Sequence, residues 1–381
     1  VNDVLDSGVL MRYGFDGMRQ GHWKAKELEH AIQSRFDVKH AQLLSSGTAA
    51  VSLALASAGV GAGDEVIMPC FTFVASFEAI LMLGAIPILV DIDDTLTLDI
   101  EAVKAAITPK TKAIMCVHMC GSMGNLDTLK QICDAHNLFL IEDACQAIGG
   151  TYKGKALGAI GDLGCFSFDY VKTVTCGEGG VVITNNKEFH THSDQFSDHG
   201  HDHQGSDRGA ETHPILGYNF RISELNAAVG VAQFSRLDEF LAIQKKHYTI
   251  IRDELSSIDG VTFRTVPEGG EESYAFLNFF LDDLEIARKV SHAFKTNGID
   301  VCFHYFDNNW HYIRKWDHLT TQKSVFPLSQ EVKEGLSYLK DKTFEKSDHF
   351  IGRNLSCLIK LSWTEAEVKQ RALTMAKLIC E

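Results

Sequence analysis

Residues 161–184 have the sequence GDLGCFSFDYVKTVTCGEGGVVIT, which places one amine, that of Lys172, in an irregular turn after a strand. An apolar strand pattern at residues 165–168 ends shortly before Lys172, and a glycine turn follows at residues 177–180. Burial disfavours the charged form of an amine, so a shielded lysine can act as a nucleophile toward an aldehyde. A lysine in a loop is more often solvated and inert, and the rest of the chain must decide between these interpretations.

The composition is that of a globular protein, with 381 residues of which 45% are hydrophobic and 23% charged. This length predicts two domains, or one large domain with a smaller attachment. The 36 basic and 50 acidic residues give a formal net charge of −14, which argues against general nucleic-acid binding and against an anionic membrane surface. The ten cysteines lack disulfide-framework spacing, and the apolar runs are too short to span a bilayer, so we expect a cytoplasmic location.

Strand and helix patterns alternate along the first half of the chain, as at the helical stretch of residues 24–36. This alternation predicts an α/β fold with a mostly parallel sheet between helices. After about residue 200 the pattern changes to a polar loop at residues 197–214 and a long helical stretch at 222–258. We therefore predict a large domain at residues 1–240 and a smaller α+β domain at 241–381.

Several polar residues lie where a phosphate could bind. Ser46-Gly47-Thr48 precedes an alanine-rich helix pattern, and the N–H groups at a helix start suit an anion. A simple N-cap by Ser46 or Thr48 is the alternative. Ser167 could donate its hydroxyl to the same phosphate, or could be an ordinary polar residue at a strand end.

Asp143 ends an apolar strand, and Phe73 follows another strand. A carboxylate at the end of a parallel strand points into the crevice where ligands bind in open α/β sheets. Such a carboxylate could keep a pyridinium nitrogen protonated, as pyridoxal phosphate chemistry needs, and Phe73 could stack on a flat cofactor ring. The alternatives are a helix cap for Asp143 and core packing for Phe73.

His199, His201 and His203 alternate with acidic residues. In an extended segment the three imidazoles would share one side, and imidazole is a common metal ligand. We favour a polar loop without metal, because metal ligands usually anchor on regular elements.

Taken in order, these motifs resemble those of the DegT/DnrJ/EryC1/StrS sugar aminotransferases, which have the aspartate-aminotransferase fold. The resemblance covers nearly the whole chain. Besides residues 161–184, the matching segments are SSGTAA, DEVIMPCFTFVAS, IEDACQAIGG and LGYNFRISELNAAVG.

The resemblance implies a role for each matching residue. Lys172 would hold pyridoxal phosphate covalently, Asp143 would pair with its pyridine nitrogen and Gln146 would approach its ring hydroxyl. Phe73 would stack on the ring, and Asn219 would reach the phosphate of a neighbouring subunit, so the site would be shared across a homodimer. The phosphate would be bound by Gly47, Thr48 and Ser167.

The resemblance also implies glutamate as amino donor and a keto-sugar as acceptor. The segments RYGFDGMR, VHMCGSM, FSDHGHDHQGSDRGAE and NNWHYI resemble those family members that aminate a free keto-octulosonate for lipopolysaccharide. The carboxylate of such an acid should bind a cationic side chain. Arginine suits this role best, because its planar guanidinium can donate two parallel hydrogen bonds to a carboxylate. The candidates are Arg12, Arg208 and Arg221, with His199 and His201 on a substrate loop.

Four other functions remain open from the sequence. A nucleotide-linked keto-hexose could be the acceptor. A dehydratase of the same family is disfavoured, since such members carry histidine where this chain has Lys172. The chain could also be a regulatory protein that keeps pyridoxal phosphate without turnover, or a metal-binding module built on the three histidines.

Overall fold

The computed structural model describes residues 1–205 and 208–381. The strands are β1 (His40–Leu44), β2 (Glu65–Pro69), β3 (Ile86–Val90), β4 (Thr111–Val117), β5 (Phe139–Asp143), β6 (Thr151–Tyr152), β7 (Lys155–Ala156), β8 (Leu163–Ser167), β9 (Gly180–Thr184), β10 (Thr262–Phe263), β11 (Gly270–Glu271), β12 (Phe276–Phe280), β13 (Cys302–Phe303) and β14 (Asn354–Leu358).

Helices separate most of these strands. Within the described ranges, no helix has both the length and the apolar character needed to cross a membrane. The helices are α1 (Asn2–Ser7), α2 (Lys24–Phe36), α3 (Gly47–Ser57), α4 (Val74–Met82), α5 (Ile100–Ala106), α6 (Leu126–His136), α7 (Lys187–Ser197), α8 (Glu224–Phe234), α9 (Leu237–Leu255), α10 (Leu284–Thr296), α11 (Asp317–Thr320), α12 (Gln330–Gly335), α13 (Glu345–Arg353) and α14 (Glu365–Cys380).

The central sheet has seven strands in the order β1-β9-β8-β5-β4-β2-β3. The strands from β8 to β3 pair in parallel, whereas β9 pairs antiparallel with both of its neighbours, β1 and β8. Strand β1 therefore runs in the same direction as the parallel strands. The predicted α/β fold with a mostly parallel sheet is confirmed, and six carboxyl ends lie at one edge of the sheet.

Helix α3 packs directly on this sheet because its residues are small. It contacts β1, β8 and β9, and Ala50 and Ala54 are fully buried. Small side chains bring the helix backbone close to the strands, with few voids between them. The close packing fixes the first turn of α3 beside the carboxyl ends of β1 and β8.

The C-terminal part of the chain builds a second sheet, in the order β10-β12-β14-β13, with antiparallel pairing throughout. Its core contains Leu277, Phe279 and Met375, which pack between this sheet and the helices around it. Other C-terminal residues, including Tyr312 and Trp316, pack into the core of the central sheet instead. The boundary at residues 240 and 241 stays a prediction.

The structure refines two expectations about local structure. The helix predicted at residues 24–36 is confirmed as α2. The helical stretch predicted at residues 222–258 forms two helices, α8 and α9, because the chain bends at Ser235 and Arg236. This bend allows Phe234 and Leu237 both to be buried in the same core.

Gly164 in β8 provides a test of the packing around the sheet. A Cβ atom at this position would lie 1.9 Å from the carbonyl oxygen of Gly158, and that backbone atom cannot move aside easily. We expect Gly164→Ala to destabilise the protein by about 1–3 kcal/mol through overpacking. Thermal or urea unfolding measures the loss.

Gly61→Ala is the matched control, because a Cβ there meets no atom within 4 Å. Its unfolding midpoint should stay near that of the wild type. Equal unfolding midpoints for Gly164→Ala and Gly61→Ala would contradict the close approach of β8 to the Gly158 backbone.

Candidate active site

A cavity of about 230 Å³ opens at the edge of the sheet where the parallel strands end. Its walls come from residues that follow β1, β2, β5 and β8, which are distant in sequence. Except for Asn219, which was predicted to act in a neighbouring subunit, all predicted cofactor-binding residues line this cavity. These residues are Gly47, Thr48, Phe73, Asp143, Gln146, Ser167 and Lys172.

The Asp143 carboxylate accepts hydrogen bonds at both of its oxygens. Its Oδ2 accepts a hydrogen bond from Ser76 Oγ at 2.9 Å, and its Oδ1 accepts one from the Cys145 N–H at 3.2 Å. Because Ser76 donates to the carboxylate, the Thr72 hydroxyl at 2.8 Å donates to Ser76. All of these side chains except Cys145 are buried. The chain of hydrogen bonds fixes the direction of the carboxylate.

Sequence reasoning missed Thr72 and Ser76. Both belong to the segment PCFTFVAS, which the sequence had already singled out for Phe73. Ser76 lies in the first turn of α4, a position that usually serves the helix itself, and its contact with Asp143 spans 67 residues of sequence. The only sequence signal for Ser76 was its position three residues after Phe73.

Lys172 lies in the irregular segment between β8 and β9, and it is half-buried. Its backbone N–H donates a hydrogen bond to the Asp169 carbonyl at 3.0 Å. The Phe168 N–H donates to the Gly179 carbonyl, and the Cys176 N–H donates to the Phe168 carbonyl. These backbone bonds hold the lysine in the cavity wall. The side chains of Tyr170 and Val171 just before it are 79% and 63% exposed.

The turn before α3 provides a cradle for an anion. Ser46 caps the helix by accepting a hydrogen bond from the Ala49 N–H at 3.0 Å, so the predicted cap is present. One cap satisfies one N–H, and the first turn has others that face outward. A Cβ at Gly47 would lie 2.6 Å from Ser167 Cβ, so glycine is required where this turn meets β8.

These observations test whether the cavity fits pyridoxal phosphate. It offers an amine, a fixed carboxylate, an anion cradle and an aromatic ring, and Phe73 is 48% exposed at its rim. These are the groups that bind the aldehyde, the ring nitrogen, the phosphate and the ring face of that cofactor. The residues therefore fit it.

The three arginines considered for a substrate carboxylate all have carboxylate partners in the chain. Arg208 binds the buried Asp198 through both Nη atoms, at 2.8 and 3.3 Å, and Arg221 binds it through Nη1. Arg12 is buried and paired with Glu29. Arg12 is therefore enclosed in the protein, whereas Arg208 and Arg221 lie near the surface.

His203 completes the cluster around Asp198. Its Nε2 lies 2.9 Å from Asp198 Oδ2, and its Nδ1 lies 2.6 Å from Asp194 Oδ2. The ring also stacks on Tyr13, with 3.9 Å between centroids. We define the residues around Asp198, namely His203, Arg208 and Arg221, as the Asp198 cluster.

The other histidines of this segment lie close to polar side chains of the same loop. His201 Nδ1 lies 2.7 Å from Glu211 Oε2, and His201 Nε2 lies 3.3 Å from His213 Nε2. His199 adopts a left-handed backbone conformation, with φ 56°, so the run is not a regular extended strand. Among the residues that the structure describes, no three potential ligands are arranged to hold a metal ion.

Asn219 does not line the cavity of its own chain. Its segment is anchored beside the phosphate turn, because the Ser45 N–H donates to the Phe220 carbonyl at 2.8 Å. Asn219 itself is exposed, and so are the apolar side chains of Leu216 and Tyr218. The structure thus presents Asn219 on an outer surface of the subunit.

The sequence profile of the DegT/DnrJ/EryC1/StrS aminotransferase family matches residues 10–340. The chain belongs to this family. The GDP-perosamine synthase of Vibrio cholerae is 35% identical over 332 residues, which is 86% of each chain. The chain is therefore an aminotransferase, and its cofactor is pyridoxal phosphate.

Solved structures show the same fold over the whole chain. An aminotransferase from Psychrobacter cryohalolentis is similar with a TM-score of 0.84 and 26% identity, covering 100% of this chain and 95% of that one. A 3-amino-5-hydroxybenzoic acid synthase is similar with a TM-score of 0.83 and 29% identity, covering 99% and 94%.

The Asp198 cluster should make stability depend on pH. Burial lowers the pKa of His203, but its hydrogen bonds to Asp194 and Asp198 outweigh this effect and raise the pKa to about 9. A group whose pKa rises on folding stabilises the protein fully below its unfolded value, which is near 6.5. We therefore expect this stabilisation to be lost as the pH rises from about 6.5 through about 9.

The measurement is the thermal midpoint between pH 6 and pH 10 for the wild type and His203→Gln. The difference between the two proteins should shrink as the pH rises. His292→Gln, a change of an exposed histidine, is the control and should follow the wild type. A constant difference between the wild type and His203→Gln would show that folding does not raise the pKa of His203.

Proposed function

We propose that the chain transfers the amino group of glutamate to 8-keto-3-deoxy-octulosonate, which gives 8-amino-3,8-dideoxy-manno-octulosonate for lipopolysaccharide. The amino-group transfer is supported by one observation, which is that Lys172 and the hydrogen-bonded carboxylate of Asp143 line the same cavity. We place this activity in the cytoplasm, and the ten free and mostly buried thiols support that location.

Each group of the cavity has a defined task. Bound pyridoxal phosphate supplies an electron sink and carries the amino group between the two substrates. Lys172 Nζ removes the proton from the α-carbon of glutamate and returns a proton to the former keto carbon of the sugar. Asp143 holds a proton on the ring nitrogen, and Ser76 keeps the carboxylate directed at it.

Membership of the family does not select the acceptor. One relative is named for GDP-perosamine and a structural neighbour for 3-amino-5-hydroxybenzoic acid, which are chemically different products. The segments VHMCGSM and FSDHGHDHQGSDRGAE, which resemble those of members that aminate a free sugar acid, support such an acid as the acceptor. The 35% identity to GDP-perosamine synthase supports a nucleotide-linked keto-hexose as the second candidate.

Within the Asp198 cluster, we assign the substrate carboxylate to Arg221. Arg208 donates hydrogen bonds to Asp198 from both of its Nη atoms. Arg221 donates to Asp198 from Nη1 alone, as far as the described side chains are concerned. Arg221 is 20% exposed, so its remaining N–H groups can reach a ligand. An arginine that is already oriented by one carboxylate binds a second with little loss of side-chain freedom.

We also propose a homodimer in which Asn219 enters the cavity of the neighbouring subunit. Asn219 is exposed beside the apolar side chains of Leu216 and Tyr218, and Lys172 lies beside the exposed Tyr170 and Val171. Exposed apolar groups around a site are typical of a surface that a partner covers. A two-fold axis would give two equivalent shared sites.

The acceptor is tested by mass spectrometry of the products formed from glutamate and a set of keto-sugars. The octulosonate ketone should gain an amino group, and nucleotide-linked 3-keto and 4-keto hexoses should not. Amination of the nucleotide-linked sugars alone would contradict the proposed acceptor and favour the second candidate.

The assignment of Arg221 is tested on the same reaction. Arg221→Gln should raise KM for the acid by about 10- to 100-fold, because it removes hydrogen bonds to a charged group. Arg236→Gln changes an exposed arginine and is the control. A raised KM in Arg208→Gln with an unchanged KM in Arg221→Gln would assign the carboxylate to Arg208 instead.

The proposal that Asn219 acts in the neighbouring subunit is tested by mixing two impaired variants. Lys172→Ala and Asn219→Ala should each be impaired, but a mixed dimer has one site with both native residues. Refolding or co-expression in equal amounts should restore about a quarter of the wild-type sites. Activity no greater than the sum of the parents would show that Asn219 acts within its own chain.

A further inference from the structure

His311 lies behind Gln146 at the inner wall of the cavity. Its side chain is only 7% exposed, and its Nε2 is 3.2 Å from the amide nitrogen of Gln146. The Thr72 N–H donates to the carbonyl of His311 at 2.8 Å, which ties this part of the chain to the segment that leads to Phe73. His311 belongs to the segment NNWHYI, and no role was predicted for it.

The contacts of Gln146 fix the direction of this hydrogen bond. Gln146 Oε1 accepts a hydrogen bond from the Cys120 N–H at 2.9 Å, and a backbone N–H can only donate. The amide NH₂ therefore faces His311. Since the NH₂ group donates, His311 Nε2 accepts, and the ring proton lies on Nδ1.

The surroundings keep His311 in this neutral form. Burial, and to a smaller extent the charge of the neighbouring Lys172, lower its pKa to about 3. A protonated ring would turn Nε2 into a donor and would force the Gln146 amide to rotate. The imidazole is thus a neutral acceptor near neutral pH.

The other nitrogen of the ring indicates that packing alone does not explain the residue. Among the described residues, His311 Nδ1 is buried without a hydrogen-bond partner. A buried polar atom without a partner costs stability, and an apolar ring would avoid that cost. The aromatic neighbours, Tyr305 at 4.7 Å and Phe73 at 5.7 Å between ring centroids, would accept such a ring.

We propose that His311 is a positioning residue that orients the Gln146 amide so that its second N–H points at the ring oxygen of bound pyridoxal phosphate. One N–H of the amide is used by His311, and Gln146 lines the cavity, so the other N–H is directed into it. This inference rests on the proposed role of Gln146 toward the ring hydroxyl.

The hydrogen bond has a spectroscopic consequence. An N–H donated to the ring oxygen spreads the negative charge of that oxygen and weakens its attraction for the proton on Lys172 Nζ. Loss of the oriented donor should raise the pH midpoint at which the visible band of the bound cofactor changes. The expected rise is about one pH unit.

The experiment is an absorbance titration of the cofactor-loaded protein. His311→Phe keeps a ring but removes the acceptor, and His311→Gln can place an oxygen near the position of Nε2. We expect a raised midpoint in His311→Phe and a midpoint near the wild type in His311→Gln. His292→Phe, on the surface, is the control.

A double-variant cycle separates positioning from packing. Gln146→Ala should raise the midpoint as His311→Phe does, and the double variant should show no further rise, because both changes remove the same donor. An unchanged midpoint in His311→Phe, or additive rises in the double variant, would overturn the proposal. His311→Asn repeats the test should the Phe variant not fold.

The outcomes also distinguish this proposal from the proposed function. A wild type without a visible band that borohydride abolishes would overturn both. The predicted shifts in a protein that does not aminate the octulosonate ketone would support the role of His311 and contradict only the acceptor.

Discussion

The common direction of six strands is the constraint on which the site depends. Because β1, β2, β5 and β8 end at one edge of the sheet, residues separated by more than a hundred positions meet there. The antiparallel β9 starts at the same edge and closes it. A Cβ at Gly180, the first residue of β9, would lie 2.2 Å from the Ser46 carbonyl oxygen, so the turn before α3 packs closely against the start of β9.

The sequence was sufficient for features that depend on local pattern or on the order of motifs. The bounds of α2, the mostly parallel sheet and seven of the residues that line the cavity could be predicted from it. It could not supply Ser76 and His311, because their roles arise from single contacts across 67 and 165 residues of sequence. Neither a hydroxyl in a helix nor a histidine among aromatics has a pattern that reveals its partner.

The Asp198 cluster is a group of ion pairs around one buried carboxylate. Burial raises the pKa of Asp198, but the hydrogen bonds and charges of His203, Arg208 and Arg221 lower it well below its usual range. Asp198 also forms an antiparallel backbone bridge with Asn219, and its ion pair with Arg221 ties the segment that carries Asn219 to the cluster. The arginines are thus structural in the free subunit, and the proposed substrate contact uses only the donors that Asp198 leaves free. From the sequence, the three arginines were equivalent, because their carboxylate partners were not visible.

Lys172 is expected to hold the cofactor in the cavity with Asp143. Borohydride reduction of the loaded protein, followed by proteolysis and mass spectrometry of the peptides, locates the attachment. We expect a single reduced pyridoxyl group on Lys172, and no such group in Lys172→Ala. A pyridoxyl group on another lysine of the native protein would contradict this assignment, and so would its absence from all peptides.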